Sequence, residues 1–328
     1  MPSDVYPALM NPYRRANATF VALVRSSERE SMMQSMRSIE DRVNRKFGYP
    51  WVFLNEEEFT EDFKAGVKSM TRSQVYFGLI PKEDWGYPSF IDQERANRTR
   101  TQMGKNGIVY GQSESYRHMC RYQSGFFFRH PLMLNFNYYW RVEPSVELFC
   151  DQDYDPFVFM ESNQKVYSFV LSLYEYRATL PTLWNVTREF VTSNPSSLAP
   201  DNSLGFLVDQ LEKGMDAEYN LCHFWSNFEI GDLRFWRSQT YLDFFNHLDR
   251  KGGFYYERWG DAPVHSIAAS LFLSTSQIHQ WDDIAYYHPP FTHCPTNLQK
   301  HHVNGKCYCD PKDNFDSLPY SCTPRWWK

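Results

Sequence analysis

Apolar runs alternate with helical patterns over the first 80 residues, and this alternation constrains the fold more than any other feature of the sequence. Runs at residues 20–24, 51–54 and 75–80 predict three strands, and apolar side chains at helical spacing in residues 28–47 and 57–70 predict two helices between them. Strands joined by helices pair in parallel, and ligands bind at the carboxyl edge of such a sheet. The sequence therefore predicts an α/β fold that begins with a Rossmann-like, nucleotide-binding half. Later in the chain, the apolar patterns predict a strand at residues 166–174 and helices at residues 204–213 and 233–248.

Neither glycine-rich phosphate-binding motif accompanies this predicted half. G-x-G-x-x-G is missing from the turn after the first strand, and G-x-x-x-x-G-K is missing from the whole sequence. Both motifs hold phosphates on backbone N–H groups at the start of a helix. A diphosphate bound here must therefore be held by a metal ion and by side chains.

A predicted strand in the stretch from Phe136 to Cys150 ends in a carboxylate. Successive side chains of a strand point to opposite faces, so Arg141 and Glu143 share one face. Pro144 cannot donate to a neighbouring strand and ends the pairing. The two charged side chains then project together at the carboxyl end of the strand. They either anchor a divalent cation that carries phosphates or form an ordinary ion pair on the sheet face.

Three further stretches supply candidate site residues. In residues 219–230, polar and aromatic side chains that include Trp225 and Glu229 alternate with apolar ones, a row that would line a sugar pocket. Asp261 precedes a helical pattern with a proline in its first turn, so helix capping is the alternative to a site role. His288 ends a short predicted strand before two prolines, where it is either a metal ligand or a hydrogen-bonded surface histidine.

Charge excludes one class of partner. The chain has 34 Lys and Arg against 39 Asp and Glu, a net charge of -5, without long runs of either sign. Such a surface has no face that would attract a polyanion, so we expect no nucleic acid partner. The aromatic content of 18% suits sugar binding, although apolar cores also use aromatic residues.

The cysteines predict disulfides and an attached tail. Four of the seven fall in the last 35 residues, which show no periodic pattern. This clustering is typical of a segment that disulfides attach to the body, and the odd total leaves at least one free thiol. A zinc site is the alternative because three histidines lie nearby, although the spacing of Cys307 and Cys309 is unusual for zinc ligands. The three histidines are His293, His301 and His302.

Other short features concern the compartment. Sequons at Asn17, Asn97 and Asn185 fit an oxidising secretory compartment, although such triplets also occur by chance. No apolar run approaches the roughly 20 residues that span a bilayer, and the first residues lack the apolar core of a signal peptide. We therefore expect contact with a membrane only through an N-terminal anchor absent from this chain.

Five long motifs carry a resemblance to a known family. They are MCRYQSGFFFRHP, YYWRVEPSVELFC, YNLCHFWSNFEIGDLRFWRS, GGFYYERWGDAPVHSIA and YYHPPFTHCP. At these motifs, and from about residue 17 to the end, the chain closely resembles the fungal Golgi α-1,2-mannosyltransferases. The resemblance implies a GT-A-type, Rossmann-like mixed sheet flanked by helices. It also implies an N-terminal arm at 1–16, a remnant of the stem, a catalytic domain at 17–293 and a cysteine-rich tail at 294–328 packed on that domain.

The same resemblance implies an activity and a location. Enzymes of this family transfer mannose from GDP-mannose, with Mn²⁺ and with retention, to the 2-hydroxyl of an α-mannoside on O- or N-glycans of glycoproteins. They are type II membrane proteins whose lumenal domain lies in the Golgi. Two alternatives remain open: a non-catalytic mannan-binding protein of the same fold, and a glycoside hydrolase that uses Glu143 and Glu229 as acid and base.

Roles in the site are also implied residue by residue. The metal ligands would be Glu143 and His288. The catalytic residues would be Glu229, near the anomeric carbon, Tyr116 and Asp261. The donor nucleotide and its metal would contact Arg25, Tyr116, Arg141, Glu143 and Ser145, and the sugar would contact Trp225, Glu175 and Glu229. Ser145 departs from the family, which has Asp at this position, so one negative charge is missing near the expected metal.

Overall fold

A seven-stranded mixed sheet forms the centre of the structure, a computed structural model that describes residues 14–328. Residues 1–13 of the predicted N-terminal arm lie outside the described residues. The strands lie in the order β10 (Ile278–Gln280), β6 (Tyr167–Phe169), β9 (Glu229–Asp232), β4 (Tyr138–Arg141), β1 (Ala18–Leu23), β2 (Trp51–Asn55) and β3 (Val75–Leu79). Strands β4, β1, β2 and β3 are parallel, as are β10 and β6, whereas β9 runs antiparallel to both of its neighbours.

Two smaller sheets and fourteen α-helices accompany the main sheet in residues 14–328. The first small sheet contains β12 (Phe291–His293), β11 (Tyr286–His288) and β5 (Glu147–Leu148), and the second contains β7 (Ser172–Tyr174) and β8 (Cys222–Phe224). The helices are α1 (Arg29–Ile39), α2 (Arg45–Phe47), α3 (Glu61–Met70), α4 (Gln93–Lys105), α5 (Glu114–Gly125), α6 (Pro156–Ser162), α7 (Leu183–Ser193), α8 (Leu204–Leu207), α9 (Leu233–Trp236), α10 (Gln239–Lys251), α11 (Gly253–Tyr256), α12 (Asp261–Phe272), α13 (Leu298–His301) and α14 (Thr323–Trp326). None of these helices combines the length and the apolar character needed to cross a membrane.

Each face of the main sheet has its own core. On one face, Phe20 of β1 and Trp140 of β4 share a buried cluster with Met36 of α1. On the other face, Tyr139 of β4 shares a second buried cluster with Ala268 of α12. Neighbouring residues of β4 thus enter opposite cores, as the strand alternation predicted. The predicted α/β fold, a mixed sheet flanked by helices, is confirmed.

One predicted strand, at residues 166–174, is wrong as a single element. The chain turns between Phe169 and Leu171, so β6 and β7 lie in different sheets. The Phe169 carbonyl accepts from Trp281 N, whereas the Leu171 carbonyl accepts from Trp225 N. The apolar run is continuous because it is buried in both sheets, and so its composition does not mark the turn.

Two predicted helices are interrupted. The helix predicted at 204–213 stops after Leu207, because Val208 is extended and pairs with Tyr219. The helix predicted at 233–248 is divided, because the Ser238 hydroxyl accepts from Tyr241 N and begins α10 as a new N-cap.

Three disulfides involve the C-terminal tail, and two of them attach it to the body. They join Cys150 to Cys307, Cys222 to Cys322 and Cys294 to Cys309. The disulfide prediction is confirmed. Cys294, His302 and Cys309 do lie close together, but the two cysteines are bonded to each other, so the zinc alternative lacks its thiolates. Cys120 is the free thiol, and burial raises its pKa.

A buried ion pair also holds the tail. His293 of β12 donates from Nδ1 to Asp316 Oδ2 at 2.7 Å, and both side chains are 3% exposed. Burial alone would lower the pKa of His293, but Asp316 outweighs burial and raises it above 6.5. Removing one partner of a buried pair leaves the other charge without compensation.

We expect His293→Gln to lower the free energy of unfolding by roughly 3 kcal/mol at acidic pH. Because the folded state raises the pKa of His293, the stabilisation is complete below the unfolded value of 6.5 and is lost as the pH rises through the folded value. Thermal unfolding at pH 5.5 and at pH 9, two conditions chosen on either side of the titration, should therefore give a larger difference at pH 5.5. His302→Gln is the matched control, since His302 bonds only the Pro295 carbonyl and the Cys294 sulfur. An equal loss at both pH values would contradict the ion pair.

Candidate active site

Arg141 joins two carboxylates at the end of β4. Its Nη1 donates to Asp261 Oδ2 at 2.5 Å, and its Nη2 donates to Glu143 Oε1 at 2.5 Å. The guanidinium is buried, with 5% of the side chain exposed. Asp261 also accepts from the Ser226 hydroxyl at 2.8 Å. Burial opposes ionisation of Asp261, but Arg141 and its other partners outweigh burial and lower its pKa.

The capping role, given as the alternative to a site role for Asp261, is not what the structure shows. Gly260 occupies the N-cap position of α12 and Asp261 is the first helical residue, with its carboxylate directed at Arg141. The alternative of an ordinary Arg–Glu pair on the sheet face is also incomplete, because Arg141 holds a second carboxylate from a different element.

Glu143 faces His288 across a short gap. Glu143 Oε2 lies 3.5 Å from His288 Nε2, and the edge of Trp225 packs on the imidazole with ring centroids 4.8 Å apart. His288 Nδ1 lies 3.0 Å from the Pro289 carbonyl, which can only accept, so Nδ1 carries the hydrogen. In the neutral imidazole, Nε2 then carries no hydrogen, and its lone pair faces Glu143. Two acceptors in this arrangement require a cation between them, either a proton or a metal ion.

The charge state of Glu143 suits a metal ligand. Burial would raise the pKa of Glu143, but Arg141 and His288 outweigh burial and lower it to about 2. The carboxylate is therefore ionised at neutral pH. One carboxylate oxygen and one imidazole nitrogen are donors that divalent Mn²⁺ and related cations accept.

Two adjoining cavities open at this pair. The first, about 370 Å³, is lined by Leu23, Val24 and Arg25, and we call it the β1 cavity. The second, about 460 Å³, is lined by residues 260–263, and we call it the α12 cavity. Residues lining both cavities are Tyr110, Tyr116, Met119, Arg141 and Glu143.

Most of the predicted site residues meet at these cavities. The α12 cavity is lined by Tyr116, Arg141, Glu143, Glu175, Trp225, Asp261 and His288. Arg25 lines the β1 cavity at the end of β1, where its Nη2 pairs with Glu56 Oε1 at 3.1 Å. Residues that are more than 260 positions apart in the sequence thus surround one continuous space.

Glu229 lies beneath the α12 cavity and does not line it. It is fully buried on β9, directly opposite Arg141 in the register of the sheet. Its carboxylate accepts from Tyr139 OH at 2.9 Å and from Tyr167 OH at 3.0 Å, and it lies 3.1 Å from His265 Nδ1. A carboxylate with these contacts is not a free nucleophile in this arrangement.

The hydrogen bonds around Glu229 fix the orientation of the His265 ring. His265 Nε2 lies 3.1 Å from the Gln123 carbonyl, so this nitrogen carries a hydrogen. His265 Nδ1 faces a Glu229 oxygen, and a hydrogen bond there needs a proton on one of the two atoms. The Glu229 carboxylate thus has three hydrogen-bonding neighbours, Tyr139, Tyr167 and His265.

The glycoside hydrolase alternative needs two accessible carboxylates that flank one bond. Glu229 is 0% exposed, so Glu143 and Glu229 do not form that arrangement.

Ser145 also lies outside both cavities. It is exposed, has a left-handed backbone with φ 65°, and lines a separate groove with Arg29 and Tyr287. The side chain that departs from the family is therefore set apart from the Glu143–His288 pair.

Sequence reasoning missed three residues that complete the site. The Arg258 guanidinium lies 5.2 Å from the centre of the Tyr116 ring and donates to Glu175 Oε1 at 3.4 Å. Ser226 supports Asp261, and His265 supports Glu229. All three lie within the motifs of the resemblance. His265 had a further signal, since it lies one helical turn after Asp261 on α12.

Comparison with known proteins gives one family. Residues 2–328 match the family described as "Glycolipid 2-alpha-mannosyltransferase". The chain is 53% identical to "Glycolipid 2-alpha-mannosyltransferase 1" of Candida albicans, over 95% of this chain and 72% of that protein. It is 52% identical to "Alpha-1,2 mannosyltransferase KTR1" of Saccharomyces cerevisiae, over 95% of this chain and 78% of that protein.

Solved structures show the same likeness. Core-mannan synthase A of Aspergillus fumigatus, in a Mn/GDP form, has a TM-score of 0.88 and 42% identity, over 95% of this chain and 85% of that one. The mannosyltransferase Ktr4p of S. cerevisiae, in complex with GDP, has a TM-score of 0.89 and 41% identity, over 95% of this chain and 82% of that one.

Proposed function

Because this chain belongs to the glycolipid 2-α-mannosyltransferase family and is an α-1,2-mannosyltransferase, we propose that it transfers mannose from GDP-mannose to the 2-hydroxyl of an α-mannoside, with Mn²⁺ and with retention of configuration. The acceptor would be carried by O- or N-glycans of glycoproteins. The observation that carries the proposal is the pair of opposed acceptors, Glu143 and His288, at the junction of two cavities.

A divalent metal fits this pair. Two ligands about 2.1 Å from one octahedral cation, at right angles to each other, are about 3 Å apart. The 3.5 Å between Glu143 Oε2 and His288 Nε2 is close to that separation. When bound, the metal would supply Lewis acidity that offsets the charge of the departing diphosphate. The Mn/GDP form of core-mannan synthase A supports this choice of metal and nucleotide.

The donor nucleotide would enter from the β1 cavity. Arg25 supplies a positive charge there, and Tyr116 lies between the two cavities. Tyr116 stacks on Tyr110 with ring centroids 4.5 Å apart. The Arg258 guanidinium lies 5.2 Å from the centre of the Tyr116 ring. The resemblance implied that Ser145 contacts this nucleotide. Its position in a separate groove does not support that contact.

The α12 cavity would hold the transferred sugar and the acceptor. Asp261 Oδ2 is held by Arg141 and Ser226, which leaves its other oxygen for a sugar hydroxyl. Trp225 and Glu175 line the same space. Glu229 is buried below, so we assign it the role of a charge that stabilises the developing cation rather than of a nucleophile. This assignment favours attack from the face of the leaving group.

His265 would act through Glu229. Arg141 lies between Glu143 and Asp261. Glu229 lies opposite Arg141 on β9, and His265 Nδ1 lies 3.1 Å from its carboxylate. Three carboxylates and one guanidinium thus lie close together in this cluster. A negative cluster opposite an anomeric carbon stabilises positive charge in the transition state.

The three disulfides indicate an oxidising compartment. We propose the Golgi lumen, with the chain as the lumenal part of a type II membrane protein.

The function is tested by incubating the protein with GDP-mannose, Mn²⁺ and methyl α-mannoside. We expect a disaccharide with a new α-1,2 linkage, identified by NMR, and loss of product when a chelator removes the metal. If GDP and Mn²⁺ bind together but no acceptor is mannosylated, the protein is a binding protein of the same fold. Release of free mannose in the presence of the chelator would instead favour hydrolysis.

A further inference from the structure

One part of the lining of the α12 cavity is aromatic, and we call it the aromatic end. The rings there belong to Tyr174, Tyr176, Phe291 and Tyr320. Tyr176 is 55% exposed, and its ring centroid lies 6.2 Å from that of Tyr320, with the planes tilted by 36°. Aromatic faces that open into a polar cavity offer a surface for the apolar face of a sugar ring.

The position of this aromatic end defines what can reach it. A series of ring contacts leads from His288 through Trp225 and Phe291 to Tyr320, with centroid separations of 4.8, 5.6 and 6.0 Å. None of these residues lines the β1 cavity. With a nucleotide in the β1 cavity, the transferred sugar lies at the pair and the acceptor mannose lies in the α12 cavity. A group at the aromatic end is therefore attached to the far side of the acceptor.

The C-terminal tail builds this end and holds it in place. The Tyr320 carbonyl accepts from Tyr174 N at 3.3 Å, and the next residue, Ser321, pairs with Leu173 of β7. The disulfide between Cys222 and Cys322 follows immediately. Tyr320 is thus fixed to two strands of the body, and its position does not depend on a loose segment.

The charges at this end are already paired. Glu175 Oε1 accepts from Arg258 Nη2 at 3.4 Å and also from Tyr176 N at 2.8 Å. The surface presented by Tyr176 and Tyr320 therefore has no free charge for an acidic or a basic peptide, and it suits a neutral ring.

We propose that Tyr176 and Tyr320 form a second-sugar subsite, which binds the sugar to which the acceptor mannose is attached. The subsite rests on the proposed function, since it assumes that an acceptor mannose occupies the α12 cavity. A mannoside of two sugars is the smallest ligand that fills both the acceptor position in the α12 cavity and the second-sugar subsite. Transfer of mannose to a monosaccharide produces such a disaccharide. The enzyme therefore prefers an acceptor of at least two sugars.

Two measurements test the subsite on the intact chain. The first is the equilibrium affinity for methyl α-mannoside and for methyl α-1,2-mannobioside, each with GDP and Mn²⁺ present. The second is kcat/KM for the same two acceptors. We expect the bioside to exceed the monosaccharide by about tenfold in both, the scale of one aromatic stacking contact. Tyr176→Ala and Tyr320→Ala should each reduce that ratio toward one.

Matched variants separate stacking from general damage. Tyr176→Phe keeps the ring and should keep the ratio. Tyr308→Ala removes a tyrosine that is 54% exposed but lies away from the α12 cavity, and it should also keep the ratio. Equal affinity of the unmodified protein for both ligands would overturn the subsite, as would an unchanged ratio in both alanine variants. Tighter binding of the bioside without any transfer would uphold the subsite and refute the proposed function.

Discussion

Replacing Glu143 with glutamine is expected to reduce kcat/KM for GDP-mannose by about 10²- to 10³-fold, the range typical for loss of one electrostatic contact to a transition state. Glutamine has nearly the same shape as glutamate and can still accept from Arg141. It cannot supply the negative charge that faces His288 Nε2 at 3.5 Å. The loss should therefore come from the metal rather than from the fold.

Binding of GDP isolates that cause. We expect Mn²⁺ to strengthen GDP binding to the unmodified protein, as measured by titration calorimetry with and without the metal. In Glu143→Gln the two affinities should become nearly equal, while the affinity without metal stays the same. Glu147→Gln is the control, because Glu147 lies outside both cavities and contacts Tyr308 instead. A Glu143→Gln protein that keeps the full effect of Mn²⁺ would remove this residue from the metal site.

The first half of the fold was predictable because its local signals agree with its tertiary contacts. The strands β1 and β2 are buried apolar runs, β3 is a partly buried one, and the intervening helices carry one apolar face each. The prediction failed where a long-range contact overrides a local pattern. Val208 leaves its helix to pair with Tyr219, a residue whose position no local pattern around Val208 could reveal.

The candidate site divides in the same way. Arg141 and Glu143 were predictable as neighbours, because alternation in a strand places residues two apart on one face. Their contacts with Asp261 and His288 come from distant parts of the chain, and only the resemblance brought those residues together in advance. The burial of Glu229 was not predictable, because it depends on Tyr139, Tyr167 and His265 from three other elements.

The second large effect is expected at Glu229, the buried carboxylate beneath the α12 cavity. We expect Glu229→Gln to lower kcat by about 10²-fold, because the carboxylate supplies negative charge where the anomeric carbon becomes cationic. The KM for GDP-mannose should change little, since Arg25 and the Glu143–His288 pair lie elsewhere. Steady-state kinetics with methyl α-mannoside checks both values.

Glu229→Gln should leave the fold intact because glutamine can form hydrogen bonds at the same position. A variant of His265 provides a second test of the buried carboxylate. The amide of a glutamine at position 229 can donate to His265 Nδ1, while His265 Nε2 keeps its hydrogen bond to the Gln123 carbonyl. His265→Gln keeps the Glu229 carboxylate but removes the ring that lies against it, so we expect a smaller loss in kcat, about tenfold. If His265 acts only through Glu229, the double variant should be no slower than Glu229→Gln alone. Independent losses that multiply would show that His265 has a separate role, and a near-normal kcat in Glu229→Gln would remove the buried carboxylate from the mechanism.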